Sequence, residues 1–330
     1  MHRERLPVYV VMNVDDKYAM QLAVVACSIL ANLRPCYKLH LYVVAGGISR
    51  RNNRKILKSL KLFNFELVWV QIPKRIEREL RSLRLLPGSH LSRIAYARLF
   101  LGELLPLTMQ KVIYLDGDVI VQADLSKLWE EHLDKTVALL AVQDQGTLSI
   151  GDGLPSWREE RFSPLRKYFN SGVMVIDLEK WRARDLYGIA LAYQQKHKSV
   201  MRLHDQEILN FIFYDEWRCL DRRWNFAAMH NAPALGEQAY IIHFCWTQKP
   251  WNVCGHPYNS FFCKYLDLTE WRSAKWHFFF QKAFSTFRLV KAKIVRNLRS
   301  LERERNSREK PLTVLKLFFH ALFKKLKKNF

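Results

Sequence analysis

Two carboxylates separated by one glycine interrupt an apolar stretch at Lys111–Val121, KVIYLDGDVIV. Val112–Leu115 and Val119–Val121 are β-type runs, and between them stand Asp116, Gly117 and Asp118. An unpaired charge buried by such runs costs several kcal/mol, so the pair needs a partner. In extended backbone residues i and i+2 project to one side, which aims both carboxylates at one point. Gly117 lets a ligand approach the backbone closely. Two hard oxygen ligands at a strand end suit Mg²⁺ or Mn²⁺, which leave positions open for substrate phosphates. The same tripeptide also reads as the turn of a β-hairpin.

The elements that must position this pair alternate in type. Val8–Val14 is a strand running into Asn13, Asp15, Asp16 and Lys17, and Tyr18–Leu33 has helical spacing. His40–Val44 is a strand, Arg50–Leu62 a basic helix, and Glu66–Ile72 a third strand closed by Pro73. This order predicts an α/β fold with a largely parallel sheet. Ligands then gather at the carboxyl ends of the strands, so Asp15 and Asp16 are expected to share a crevice with Asp116 and Asp118. Lys74–Leu86 reads as a charged helix and Arg93–Leu105 as an amphipathic helix carrying Tyr96 and Arg98. Leu125–Glu131 is a short helix, and Val137–Val142 a strand leading to Asp144. Residues 145–167, rich in Gly and Pro, form a long loop of the kind that makes lids or binding loops. Tyr168–Asp177 returns as a strand, followed by helices over Leu178–His197 and Asp205–Phe213. Tyr240–Phe244 is apolar apart from His243, and Lys249-Pro250-Trp251 follows it.

The chain of 330 residues carries a net charge of +22, unevenly placed. From Trp271 onward 17 Lys and Arg face three Glu (302, 304, 309), which leaves +14 there and +8 on residues 1–270. We therefore divide the chain into a catalytic domain, 1–270, and a basic helical tail, 271–330. Within the tail, Leu315, Phe318, Phe319, Leu322 and Leu326 fall on one helical stripe of Leu312–Phe330, with Lys and His on the other side. That pattern fits a segment lying in an anionic membrane interface, or a helix packed on the domain. Specific nucleic-acid binding ranks lower, because Phe and Leu are segregated into a stripe rather than interleaved as stacking platforms. The N-terminal apolar run is cut by Asn13, Asp15 and Asp16, unlike a signal peptide, and no run reaches the length of a membrane-spanning helix. The six cysteines show no CxxC pair, which points to reduced thiols, and the expected location is cytoplasmic, peripheral on the inner face of the membrane.

Six segments occur in an order that resembles the retaining glycosyltransferases of family 8, and within them the bacterial lipopolysaccharide galactosyl- and glucosyltransferases. They are VMNVDDKY, HLSRIAYARLFLGELLP, KVIYLDGDVIV, YFNSGVMVIDLEKW, LHDQEILN and IIHFCWTQKPW, spanning about Val8 to Trp251. The resemblance implies a GT-A fold, Rossmann-like with a mostly parallel central sheet. It implies that Asp116, Asp118 and His243 hold Mn²⁺ (or Mg²⁺) against the diphosphate of a UDP-sugar. Read by itself, a lone histidine in an apolar run is more often a hydrogen-bonded core residue. Asn13, Asp15, Lys17, Tyr18, Gly117 and Lys249 would bind the nucleotide, with Tyr18 stacking on uracil and Lys249 pairing with the diphosphate. Asp15 and Tyr18 also fit a helix start, and Asp205 a helix cap. Arg98, Asp144, Asn170, Asp205 and Gln206 would surround the donor sugar, and His90 would lie on the acceptor side.

The implied chemistry is transfer of glucose or galactose to a glycolipid or oligosaccharide, with retention. A double displacement needs a carboxylate nucleophile. Gln206 at the matching position favours same-face attack guided by the leaving phosphate. Two departures touch nucleotide contacts: Trp246 stands where the family often has Gly, and Lys17 where Asn is common. Competing readings are a glycogenin-like glucosyltransferase of the same family and a non-enzymatic basic protein that binds nucleic acid.

Overall fold

A computed structural model of the chain describes residues 5–85, 92–228, 238–245, 247, 249–252 and 256–275. His90, Trp246 and the tail from residue 276 lie outside the described residues, so the expectations placed on them are not addressed by it. A compact unit extends through Lys275.

Among the described residues ten strands organise it: β1 (Leu6–Val14), β2 (Tyr37–Ala45), β3 (Phe65–Val70), β4 (Lys111–Leu115), β5 (Val119–Val121), β6 (Leu139–Gln143), β7 (Phe169–Asp177), β8 (Trp217–Cys219), β9 (Phe226–Ala227) and β10 (Ile241–His243). Seven of them form one sheet in the order β3-β2-β1-β4-β7-β6-β8. Only β7 runs against the rest, pairing antiparallel with both β4 and β6. The fold is therefore the mixed α/β architecture with a mostly parallel sheet that the alternation predicted. The reversed β7 was not foreseen, because direction is set by topology and leaves no trace in a strand's own composition.

Asp116-Gly117-Asp118 is not a hairpin turn. β4 belongs to the large sheet, whereas β5 pairs antiparallel with β10 in a second sheet of order β5-β10-β9. The tripeptide is the crossing between the two sheets. Its ends are fixed there by Asp116 N–H donating to Gly172 O (2.8 Å) and Phe244 N–H donating to Asp118 O (2.9 Å). The β5–β10 register pairs His243 with Val119, which brings the histidine beside Asp118. Val112, Ile113, Leu115, Ile120 and Val121 are completely buried, so both sheets hold the crossing from core positions.

Three helical expectations need correction. Arg93–Phe100 is a 3₁₀ helix that passes into a single α-turn at Leu101–Leu104. Tyr96 through Phe100 are all buried, so the middle of the segment has no solvent-facing side and only its ends, at Arg93 and Glu103, are exposed. Leu178–His197 is two helices, Leu178–Arg182 and Leu186–Lys196, each capped at its start by an aspartate, Asp177 and Asp185. The loop 145–167 contains a helical turn at Ile150–Gly153, closed by a Ser149–Asp152 capping box. Among the described residues no helix is long and apolar enough to cross a membrane.

Candidate active site

The two carboxylates and the histidine converge. One ligand atom from each of Asp116, Asp118 and His243 lies within 4.8 Å of the others. His243 Nε2 is 3.2 Å from Asp118 Oδ1 and 3.9 Å from Asp116 Oδ2. The other ring nitrogen, Nδ1, sits 2.9 Å from Asn225 Oδ1. Asn225 Nδ2 in turn donates to Asn170 Oδ1 (2.8 Å), so the Asn225 oxygen faces the histidine as an acceptor. That contact keeps a proton on Nδ1 and points Nε2 at the carboxylates, so a cation that displaced the Nε2 proton would meet the arrangement of a metal-ligating histidine. Asn225 has no signal in the sequence, since RRWNFAA carries no ligand spacing.

The space around these atoms is kept open by Gly172. A Cβ there would lie 2.2 Å from His243 Cε1 and 2.9 Å from Asp116 Oδ2. Two carboxylate oxygens, one imidazole nitrogen and a cradle that a methyl group would fill suit a divalent cation. Without one, the chain's own cations balance the charge. Lys249 Nζ pairs with Asp118 and also donates to Phe244 O. Burial alone would raise the Asp118 pKa, but Lys249 and His243 outweigh it and hold the carboxyl well below its usual range. Burial likewise opposes charge on His243, yet Cys245 and Asp118 beside it raise its pKa well above that of a free imidazole. We expect Asn225→Ala to weaken divalent-metal affinity about 10–100-fold, the usual cost of losing such a partner. A metal titration of turnover would show it, and an unchanged midpoint would exclude the orienting role.

Arg98 is no surface charge. Its side chain is 4% exposed, and Nη2 donates to Asp116 Oδ1 (2.8 Å) while Nε lies 2.9 Å from Asp205 Oδ2. Nη1 donates to the carbonyl and hydroxyl of Ser171, and the guanidinium lies 4.4 Å from the centre of the Tyr114 ring. Tyr114 OH also donates to Asp116 Oδ1 (2.8 Å), so that oxygen is occupied and Oδ2 is turned to the cradle. Asp205 does not cap its helix, which starts at His204 without a side-chain cap. Its pKa is raised by burial, with Arg98 opposing.

The remaining polar groups form one network. Asp144 Oδ1 accepts from the N–H groups of Gly146 and Thr147, and Oδ2 accepts from Asn170 Nδ2 (2.8 Å) and Gln206 Nε2 (3.1 Å). Gln206 Oε1 accepts from Ser171 N–H (3.1 Å). Glu207, which the sequence did not mark, is fully buried and accepts from the N–H groups of Arg202 and Leu203 and from Tyr193 OH. It thereby fixes the turn that presents His204, Asp205 and Gln206. His204 has a left-handed backbone (φ 51), a strained conformation for a non-glycine residue, and its Nδ1 is buried with no hydrogen-bond partner among the described residues.

Two cavities meet at the aspartates. One of about 360 Å³ is lined by Asp144, Asn170, His204, Asp205, Gln206 and Lys249, together with the metal-type cluster. The other, about 470 Å³, is lined by Asn13, Asp15, Lys17, Tyr18, Tyr114 and Gly117. The two acidic clusters thus share one crevice as expected, except that Asp16 turns away to accept from Ser49 N–H and Asn52 Nδ2. Asp15 also caps the turn 16–18 through Lys17 N–H (3.1 Å). The Asn13 amide is buried on the cavity wall, and neither its oxygen nor its nitrogen has a partner among the described residues. Gly117 is tight against Tyr18, where a Cβ would meet the ring Cδ1 at 3.0 Å. Tyr18 and Trp251 also meet nearly perpendicular, ring centres 6.2 Å apart.

The family model of glycosyl transferase family 8 matches residues 9–254. The chain belongs to that family. General stress protein A of Bacillus subtilis is 30% identical over 284 residues, covering 80% of this chain and 95% of its own. The lipopolysaccharide 1,2-glucosyltransferase of Escherichia coli is 26% identical over 281 residues, covering 80% of this chain and 78% of its own. Among solved structures, the galactosyltransferase LgtC in complex with donor and acceptor sugar analogs superposes with a TM-score of 0.68 at 27% identity. That match covers 81% of this chain and all of LgtC. This family 8 chain is therefore a glycosyltransferase of GT-A fold, related to lipopolysaccharide glucosyl- and galactosyltransferases.

Proposed function

We propose that this glycosyltransferase moves glucose or galactose, with retention, from a UDP-sugar to a glycolipid acceptor of the lipopolysaccharide or lipooligosaccharide core. The observation that carries the reading is the position of the Asp116–Asp118–His243 cradle between two cavities of different chemistry. The Asn13 side has an amide without partners among the described residues and the Tyr18 ring, suited to reading and stacking on a base such as uracil. The Asp144–Gln206 side offers carboxylate and amide groups suited to sugar hydroxyls.

A divalent cation in the cradle, Mn²⁺ in this reading, would supply Lewis-acid neutralisation of the diphosphate leaving group. Lys249, beside Asp118, adds a point charge to the same oxygens. Asp205 and Gln206, both lining the cavity on the Asp144 side, would in this reading stabilise positive character at the anomeric carbon. Neither is placed as a free nucleophile. Asp205 is ion-paired with Arg98, and the Gln206 amide is tied at one end to Asp144 and at the other to Ser171. This supports same-face attack over a covalent intermediate. His90 is kept as an acceptor-side residue.

Donor choice is tested by hydrolysis of UDP-glucose, UDP-galactose and their N-acetyl forms with Mn²⁺, Mg²⁺ or chelator. Turnover of one hexose donor, at least about tenfold above the others and lost in chelator, is the expected result. Metal-independent turnover, or none with any UDP-sugar, would overturn the reading.

In the same proposal residues 1–270 are the catalytic domain and 271–330 an element that docks on an anionic membrane surface at the cytoplasmic face. The free thiols of Cys27, Cys36, Cys219, Cys245 and Cys263 fit a reducing compartment. Deletion of residues 311–330 should abolish binding to anionic vesicles while turnover on a small soluble acceptor persists. Loss of that turnover would count against the division.

A further inference from the structure

The helix Arg50–Leu60, RRNNRKILKSL, contains five cations and no acidic residue. Arg50 and Arg51 sit in its first turn, where the positive end of the helix dipole disfavours them, so the fold gains nothing from that placement. Ile56, Ser59 and Leu60 are buried against the domain. The opposite face is exposed and carries Arg50, Arg51, Arg54, Leu57, Lys58 and, just past the helix, Lys61. Arg50, Arg51, Arg54 and Lys61 have no acidic partner among the described residues. Lys58 pairs with Glu270 (3.0 Å), and Lys55 lies over the Trp271 ring (4.8 Å), so the segment that ends the described chain runs along this helix.

Large apolar side chains are exposed among these cations. Leu57 is 46% exposed, Leu62 87% and Leu268, two residues before Glu270, 49%. Three leucines beside cations that lack acidic partners among the described residues give the mixed basic and apolar surface that an interfacial face requires. The start of the helix is tied to the chain beside the crevice, because Asp16, between the cavity-lining Asp15 and Lys17, accepts from Ser49 N–H and the Asn52 side chain.

We propose that this face of the folded domain, helix 50–60 with Leu62 and Leu268, docks on an anionic lipid bilayer. The cations meet lipid phosphates and the leucines enter the headgroup boundary. The surface is separate in sequence from the tail but acts together with it, neither holding the chain on the bilayer alone, and it does not depend on which sugar is transferred. Duplex nucleic acid also attracts cations, but offers nothing to exposed leucines.

The test uses the full chain and vesicles of phosphatidylglycerol with phosphatidylcholine, or of phosphatidylcholine alone, in co-sedimentation. Arg51→Gln/Arg54→Gln/Lys61→Gln should weaken binding to the anionic vesicles by at least about tenfold, each cation being worth roughly a fivefold change. Leu57→Ser/Leu62→Ser should weaken it by about fivefold or more with charge unchanged. Both variants should keep wild-type turnover on a soluble acceptor. Unchanged vesicle binding in the charge variant overturns the proposal. So does a leucine variant that binds vesicles normally while the charge variant loses duplex DNA and vesicles equally, which would make the face a general polyanion surface. Failure of the tail deletion to affect binding would bear on the tail alone.

Discussion

Asp116→Asn should lower sugar-transfer turnover by about 10²–10³-fold or more with little change in melting temperature, because it alters one atom of the cradle and almost nothing else. Asp116 Oδ1 accepts from Arg98 Nη2 and Tyr114 OH, both at 2.8 Å. An asparagine oxygen can keep both bonds, so the buried guanidinium retains an acceptor and the sheet crossing stays in place. The amide nitrogen then replaces Oδ2 and presents a donor where a cation requires an anionic oxygen. Asp118→Asn would also uncouple Lys249 and His243, whose charges are balanced by that carboxylate. Asp116 is therefore the cleaner variant. Turnover should be followed against Mn²⁺ concentration beside a thermal melt. Wild-type activity in Asp116→Asn, or full activity of the native chain in excess chelator, would remove the metal assignment.

What could be read from the sequence follows from what each residue does physically. Asp116 and Asp118 stood out because a charged pair in an apolar run must be satisfied somewhere, whereas His243 read by itself as a core histidine and joined them only through the family resemblance. Asn13 and Arg98 were reached through the family resemblance, and their burial was not visible beforehand. Apart from the resemblance Arg98 is only one residue of an expected amphipathic helix, whereas in the fold Tyr96–Phe100 are all buried in a 3₁₀ helix. The supporting residues were hidden for a different reason. Asn225 and Glu207 act only on other protein groups, His243 Nδ1 and the N–H groups of Arg202 and Leu203, and those contacts exist only after folding. The sheet crossing at Asp-Gly-Asp was hidden too, since a hairpin and a crossing share the same local pattern of two β runs and a glycine. Register with β10 separates them, and register is a long-range property.

Gly172→Ala should cost about a hundredfold or more in turnover and weaken the metal requirement's midpoint, although it adds only one methyl group. Gly172 has no positive φ, so its backbone would accept alanine, and the obstacle is space alone. The new Cβ would stand 2.2 Å from His243 Cε1, 2.7 Å from Nδ1 and 2.9 Å from Asp116 Oδ2, distances that real contacts do not reach. Gly172 itself is held, its N–H donating to Asn170 Oδ1 (2.9 Å) and its carbonyl accepting from Asp116 N–H (2.8 Å). β7 is moreover locked between β4 and β6. The histidine is the movable partner, and a ring pushed at Cε1 and Nδ1 loses its contact with Asn225 and its aim at Asp118. Overpacking of this kind typically costs about 1–3 kcal/mol of stability, so the variant should still fold. Excess Mn²⁺ should restore part of the activity, since the two carboxylates remain. If Gly172→Ala binds Mn²⁺ and turns over like the native chain, the pocket has room that these distances deny, and the cradle is not where the cation is held.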